Sequence, residues 1–249
     1  MPSLKKIFLP ITLLTFFLTI SCEQNQEPQN RQLPLDVKWV RQSVEYQAIC
    51  LQTYHAAWQL VKSRAANLQN EWAVVLDVDE TTLDNSRYQE ILFDKNISFP
   101  EYWNQWVKRE ECPPIPGVKS FIDSVRTLGG QAHVVYITNR DTALEEATRN
   151  NLKKADLWRE GDVLLCRRDK QDTKEVRRQE VITGTGRLEG QGKRTIIALI
   201  GDQVNDMDSY PADATIEELR SRYAKSTKWG IEYFMLPNPM YGYWVNNYK

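Results

Sequence analysis

Histidine is nearly absent from this chain of 249 residues: His55 and His133 are the two it has. Poly-histidine zinc sites are therefore excluded, and neither His stands in an Arg-His-Gly or His-Glu-x-x-His setting. An excess of positive charge is also missing. Formal net charge is −1, and with Lys5 and Lys6 set aside 30 basic residues stand against 33 acidic ones. No field remains to hold a phosphodiester backbone, so no nucleic-acid polymer is expected as a partner. A phosphate-binding glycine loop is lacking too. Gly184 to Lys193 has the wrong spacing, precedes a strand, and is followed by Arg194 where a Ser or Thr would hold Mg²⁺; it reads as a surface loop. What the chain does have is 41% hydrophobic, 26% charged and 10% aromatic residues, the profile of one globular domain with some decoration.

The longest apolar run, Ile7 to Ile20, follows Lys5 and Lys6 and is too short and too N-terminal for a comfortable spanning helix. It ends in Leu18-Thr19-Ile20-Ser21-Cys22, which resembles the lipobox of bacterial lipoproteins, with cleavage before an acylated Cys22. Ordinary secretion after Ser21 is the alternative, since Thr19 and Ser21 also suit a small-x-small site. Residues 1–21 are thus expected to be a signal peptide, and 22–36, polar and rich in Gln and Asn, a lipidated cysteine with a flexible tether. Three further cysteines, Cys50, Cys112 and Cys166, allow at most one internal bridge. Cys166, after Val163-Leu164-Leu165, reads as a small buried hydrophobe.

The domain proper is expected over 37–249, with an N-terminal helical part at 37–70. There Trp39, Val40, Val44, Ala48, Leu51, Tyr54, Ala57, Trp58 and Val61 recur at helical spacing. Continuous apolar runs then read as buried parallel strands: 72–76, 133–137 and 195–200, with a late one at 234–236. Helical stretches separate them at 118–128, 142–152 and 174–181. This alternation predicts an α/β fold with a parallel sheet flanked by helices. Sites in such sheets lie beyond the carboxyl ends of the strands. The three strong runs end there in polar residues: Asp77 and Asp79, Thr138 and Asn139, Asp202 and Asp206.

Asp77 and Asp79, two apart in extended chain, can face one pocket. Paired carboxylates repel unless a cation sits between them, and a hard ion such as Mg²⁺ suits an all-oxygen site formed with Asp202. Lys174 offers a fixed positive charge. The set matches phosphoryl transfer through an aspartyl-phosphate. Asp77 is the candidate nucleophile, and Asp79 the proton donor and then acceptor. Thr138, Asn139 and Lys174 are the candidate phosphate-binding groups.

Asp77-x-Asp79-x-Thr81, Thr138 after a strand, a downstream lysine and Gly201-Asp202-x-x-x-Asp206 resemble the four motifs of the haloacid dehalogenase superfamily. Within it the chain is similar to the class C acid phosphatases, bacterial surface lipoproteins. That similarity rests on Leu83-Asp84-Asn85-Ser86, on Tyr136-Ile137-Thr138-Asn139-Arg140, on Met235 through Gly242, and on Trp39 through Gln47. It covers about residues 37–245. The resemblance implies a Rossmann-like haloacid dehalogenase fold with a small, mainly helical cap inserted at 84–116. It also implies a Mg²⁺-dependent phosphomonoesterase with an acidic optimum, acting on nucleoside monophosphates and aromatic phosphates. The substrate's ring would lie between aromatic side chains, for which Trp103 and Tyr241 occupy the corresponding stretches; the alternative is that Trp103 and Trp106 merely pack the cap. Location in the bacterial envelope, as a lipid-anchored outer-membrane protein, follows from the same resemblance.

Two points stay open. The lysine region, Asp169 to Arg177, is one residue longer than the family pattern, which makes Lys174 the choice and Lys170 its rival. Asp206 either binds metal directly or, as preferred, orients Lys174 and the metal's waters. The basic cluster Arg167-Arg168, Lys170, Lys174 and Arg177-Arg178 reads mostly as a solvated helix face. His55 and His133 are expected on a helix surface and at a strand end. Two other functions share the same scaffold: a phosphotransferase using the same intermediate, and a surface binding protein without catalysis.

Overall fold

The computed structural model describes residues 32–246. The expected signal peptide and Cys22 lie outside the described residues. Helix α1 (Leu35–Gln42) starts two residues inside the stretch read as a tether, and buries Val37 and Val40. The chain bends at Ser43, whose hydroxyl accepts from the Tyr46 amide at 3.0 Å and caps α2 (Val44–Ala65). Tyr46, Cys50, Tyr54, Ala57 and Val61 form the buried stripe of α2 at three- and four-residue spacing.

Five parallel strands follow: β1 (Trp72–Leu76), β2 (Ala132–Asp141), β3 (Val163–Arg167), β4 (Thr195–Gly201) and β5 (Tyr233–Met235). Their order in the sheet is β3-β2-β1-β4-β5. Chain direction across the sheet therefore reverses at β1, where the crevice of an open α/β sheet forms. Strand β3 was not foreseen: its run is short, and the charged residues after it hid an edge strand.

Alternation along β1 supplies both faces of the core. Trp72, Val74 and Leu76 join the apolar cluster with α2 and α5 (Val118–Arg126). Ala73 and Val75 join a second cluster containing Val181 of α7 (Lys174–Thr183). The segment after β1 holds α3 (Ser86–Lys95) and the short α4 (Trp103–Val107). The ends of this insertion are tied together, for Asp84 N donates to Pro113 O at 2.9 Å and Ile115 N to Thr82 O at 3.1 Å.

Helix α6 (Glu145–Lys154) follows β2, and α8 (Ile216–Ala224) precedes β5. Helix α8 begins in a Thr215/Glu218 capping box, whose Thr-x-x-Glu spacing is written in the sequence. Cys50, Cys112 and Cys166 are buried and free. His55 is exposed on α2, and His133 pairs with Glu71 near the start of β2.

Candidate active site

The backbone pairing of β1 runs one residue past the strand, because Asp77 N donates to Ile200 O at 3.0 Å. Asp77 therefore keeps the alternation and falls on the side of Ala73 and Val75, where α7 packs. Lys174, the first residue of α7, meets it there: its Nζ donates to Asp77 Oδ1, and to Asp206 Oδ1 at 2.5 Å. The helix start is fixed by Thr173, whose hydroxyl accepts from Val176 N at 3.3 Å. Lys170 is exposed on the preceding turn, so of the two candidate lysines Lys174 is the one at the strand ends.

Asp202 follows β4 directly. Its Oδ2 accepts from Asn238 Nδ2 at 2.8 Å and its Oδ1 from Thr81 Oγ1 at 3.4 Å. Asp206 lies on the turn beyond, where its Oδ2 accepts from Gln203 N at 2.8 Å. Gly201 is required by this turn, since a Cβ there would collide with the Asp206 side chain. Carboxylate oxygens of Asp77, Asp202 and Asp206 lie within 4.8 Å of one another.

Burial pushes the Asp77 carboxyl up to about 7, with Lys174 opposing and Asp206 and Asp79 adding to the rise. Burial also holds Asp202 well above the carboxylate range, reinforced by the charges of Asp206 and Asp77. Lys174 would be lowered by burial, but Asp206 and Asp77 outweigh that and hold it above its ordinary value. Three acids thus face one lysine, and the site has oxygen donors and negative charge to spare. That donor set fits a hard divalent cation.

Asp79 lines the same cavity but does not join the three acids. The expected metal trio was Asp77, Asp79 and Asp202; the carboxylates brought together are those of Asp77, Asp202 and Asp206. The chain turns after Val78, with Leu83 N donating to Val78 O at 2.7 Å and Glu80 in the left-handed region. This aims Asp79 at the buried Arg140, whose Nε and Nη2 reach Asp79 Oδ1 at 2.9 and 2.8 Å. Thr138 has no exposed surface; its hydroxyl accepts from Arg140 N at 3.1 Å and points at Asp79 Oδ2 at 3.4 Å. Asn139 is exposed at the cavity, its Oδ1 held by Arg177 Nη2 at 2.8 Å.

The basic cluster is only half solvated. Arg167, Arg168 and Lys170 are exposed, but Lys174, Arg177 and Arg178 are buried. Arg177 donates to the carbonyls of Thr138 and, at 3.2 Å, Leu165, tying the ends of β2 and β3. Burial lowers it to about 10, partly offset by Asp172. Arg178 Nη1 donates to the carbonyls of Asn205 and Asp206 at 3.1 and 2.9 Å, fixing the β4 turn. Charge alternation along α7 concealed these roles, because carbonyls at strand ends leave no mark in a sequence.

Above the acids opens a cavity of about 740 Å³, walled by Trp103 and Tyr241 along with Leu92, Phe93 and Phe99. Trp103 is partly exposed and packs edge-on against Tyr88, with ring centres 5.0 Å apart. Trp106 is the packing residue of the pair, 2% exposed, its Nε1 donating to Asn85 Oδ1 at 2.9 Å. Tyr241 is set by Asn238, whose Oδ1 accepts from the Met240 and Tyr241 amides at 3.0 and 3.4 Å. The same Asn238 therefore joins Asp202 to the aromatic wall.

Comparison with known proteins decides the family. Residues 17–244 match the model of the haloacid dehalogenase superfamily, subfamily IIIB (acid phosphatase). The chain belongs to this family. Among solved structures it is similar to the class C acid phosphatase from Bacillus anthracis, at 26% identity and TM-score 0.73 over 84% of this chain and 85% of that one. The same enzyme with tungstate bound matches at 25% identity and TM-score 0.72, with the same coverage. The parallel sheet with its helices is the haloacid dehalogenase fold, and the chain is an acid phosphatase, a phosphomonoesterase acting on small phosphate substrates.

Proposed function

We propose that this acid phosphatase is Mg²⁺-dependent and hydrolyses phosphomonoesters bearing a ring, 5′-nucleotides and aromatic phosphates, through an aspartyl-phosphate on Asp77. One observation carries the reading: a buried carboxylate in contact with a buried lysine at the sheet's crevice, at the floor of a cavity walled by Trp103 and Tyr241. Tungstate is a tetrahedral oxyanion like phosphate, and that the Bacillus anthracis relative binds it supports an oxyanion-binding function for this family member.

In the first half-reaction a carboxylate oxygen of Asp77 bonds to phosphorus while the ester P–O bond breaks. Asp79 gives its proton to the departing oxygen. Lys174 and Asn139 meet the phosphoryl oxygens, and the fixed positive charge of Lys174 offsets the charge gathering on them. In the second half-reaction Asp79 takes a proton from water as that water's oxygen bonds to phosphorus. The bond from phosphorus to the Asp77 oxygen breaks, releasing phosphate and restoring the carboxylate. Asp77, Asp202 and Asp206 would hold Mg²⁺, which supplies charge neutralisation and fixes the phosphate's orientation when bound. A planar ring on the leaving group would stack on Trp103 and Tyr241, a recognition tolerant of which ring is present.

The polar stretch and Cys22 support an envelope location through a lipid anchor. Labelling of the full chain with palmitate in a bacterial host, lost in Cys22→Ser, is the expected result; labelling unchanged by that substitution contradicts it. For the activity, phosphate release from a 5′-nucleotide, a phenyl phosphate and a sugar phosphate is compared at mildly acidic pH, with Mg²⁺ or with chelator. Metal-dependent release favouring the two ring-bearing esters is expected. Release indifferent to chelator, or favouring the sugar phosphate, overturns the corresponding part.

A further inference from the structure

The carboxyl of Asp79 is held unevenly. Three donors converge on Oδ1: Arg140 Nε at 2.9 Å, Arg140 Nη2 at 2.8 Å and Asn85 Nδ2 at 2.9 Å. Among the described residues Oδ2 receives only the Thr138 hydroxyl, at 3.4 Å. A carboxylate oxygen offers two lone pairs, so Oδ1 is saturated and has no room for a proton; Oδ2 has.

The clamp is itself fixed, by α6 on one side and by the insertion on the other. Arg140 is 2% exposed, its Nη1 donates to Thr148 Oγ1 at 3.2 Å, and its guanidinium carbon lies 5.5 Å from the centre of the Trp103 ring. Asn85 can take only one orientation. Its Oδ1 receives the indole N–H of Trp106 at 2.9 Å, and an indole donates but never accepts, so the amide nitrogen must face Asp79. Asn85 Oδ1 also receives Cys112 Sγ at 3.3 Å and Arg140 Nη2 at 3.4 Å. Trp103 and Trp106, both on α4, thus reach the Asp79 carboxyl through one intermediate each.

We propose that Arg140 and Asn85 are positioning residues that lock Asp79 by Oδ1 and reserve Oδ2 for proton transfer, so that the insertion walling the leaving group also aims the proton that releases it. The proposal rests on Asp79 being the proton donor. As the Asp77–phosphorus bond forms and the ester P–O bond breaks, the proton on Oδ2 passes to the departing oxygen. The negative charge left on Asp79 is met by a guanidinium already in place, so no reorganisation is needed during the step.

The test is the dependence of kcat/KM on leaving-group basicity, since kcat/KM reports the steps through ester cleavage and not the later hydrolysis. The panel is nitrophenyl phosphate, phenyl phosphate and an alkyl phosphate, measured with wild type, Asp79→Asn, Arg140→Lys, Asn85→Ser and Thr148→Val. Nitrophenolate departs readily without a proton; an alkoxide does not. Arg140→Lys keeps the charge but loses the fork, and should lose at least about tenfold more on the alkyl ester than on the nitrophenyl ester. Asn85→Ser should steepen the dependence in the same sense. Thr148→Val, nearly isosteric and with no charge changed, should do so more weakly, and it carries the test if Arg140→Lys fails to fold.

Equal losses on all three esters in the folded variants, beside a steep Asp79→Asn profile, overturn the proposal alone. A flat Asp79→Asn profile overturns the proton-donor reading and the proposal together.

Discussion

The floor and the wall of the cavity are built on opposite terms. On the floor, Asp77, Lys174 and Asp206 are each less than a tenth exposed, and each is held by at least one charged partner at hydrogen-bond distance. They stand at the end of β1, at the start of α7 and on the turn that follows β4. The wall is made of Trp103, Tyr241 and the half-open Phe93 and Phe99, on the five-residue α4, on irregular chain and near the end of α3. The contrast follows the division of labour in ester hydrolysis. Every phosphomonoester presents the same phosphoryl group, so the floor can be fixed and fully paired. Leaving groups differ, and a broad apolar surface accepts many of them.

If that division holds, substitutions on the floor act on every substrate alike, and those on the wall discriminate between substrates. Asp77→Asn should have the largest effect, a loss of at least ~10⁴-fold in kcat for all esters, with the fold retained by circular dichroism. Residual turnover within about tenfold of wild type would mean that the floor does not contain the nucleophile. Asp79→Asn comes next, with ~10²–10⁴-fold lost from ester cleavage where the leaving group is basic, and a like loss from hydrolysis of the intermediate whatever the ester. Trp103→Ala or Tyr241→Ala should raise KM for a nucleotide by roughly 5- to 150-fold, the value of about 1–3 kcal/mol of stacking, and much less for a sugar phosphate. Equal increases for both substrates would erase the distinction between floor and wall.

The smallest effect concerns pH and metal. Asp77 and Asp202 are raised in the metal-free protein, so their contribution to stability is complete below the ordinary carboxylate value. It is lost as pH rises through their folded values, near 7 for Asp77. A cation binds the charged forms and restores what is lost. Saturating Mg²⁺ should therefore raise the melting temperature more at about pH 7.5 than at about pH 5. An equal or larger rise at the acidic pH would show that these acids are not where the metal binds.

The same contrast explains what the sequence disclosed. The floor was legible because its residues follow apolar runs at fixed offsets: Asp77 after β1, Asp202 after β4, Lys174 opening a helix. Sheet topology brings those offsets together whatever the chain between them does. Strand β3 escaped notice because a four-residue apolar run before charges has no signature of its own. The clamp on Asp79 was also missed, although Asn85 and Arg140 both lie in stretches that matched the family. Arg140 looked like one more polar residue ending a strand, and its partner Asn85 sits 55 positions earlier. Buried Arg177 and Arg178 were hidden in the same way, by partners that are backbone carbonyls. Side chains that serve carbonyls or other side chains across the fold carry no local pattern, whereas side chains that serve phosphate at a strand end do.

The central claim, a covalent intermediate on Asp77, has a direct measurement. Wild-type protein with Mg²⁺ is mixed with a nucleotide or phenyl phosphate labelled in the phosphoryl group, quenched in acid within a single turnover, and digested for peptide mapping. Label on the peptide containing Asp77, assigned to that carboxylate and absent from Asp77→Asn, is the expected result. Label-free protein during active turnover, or label on another residue, would contradict it.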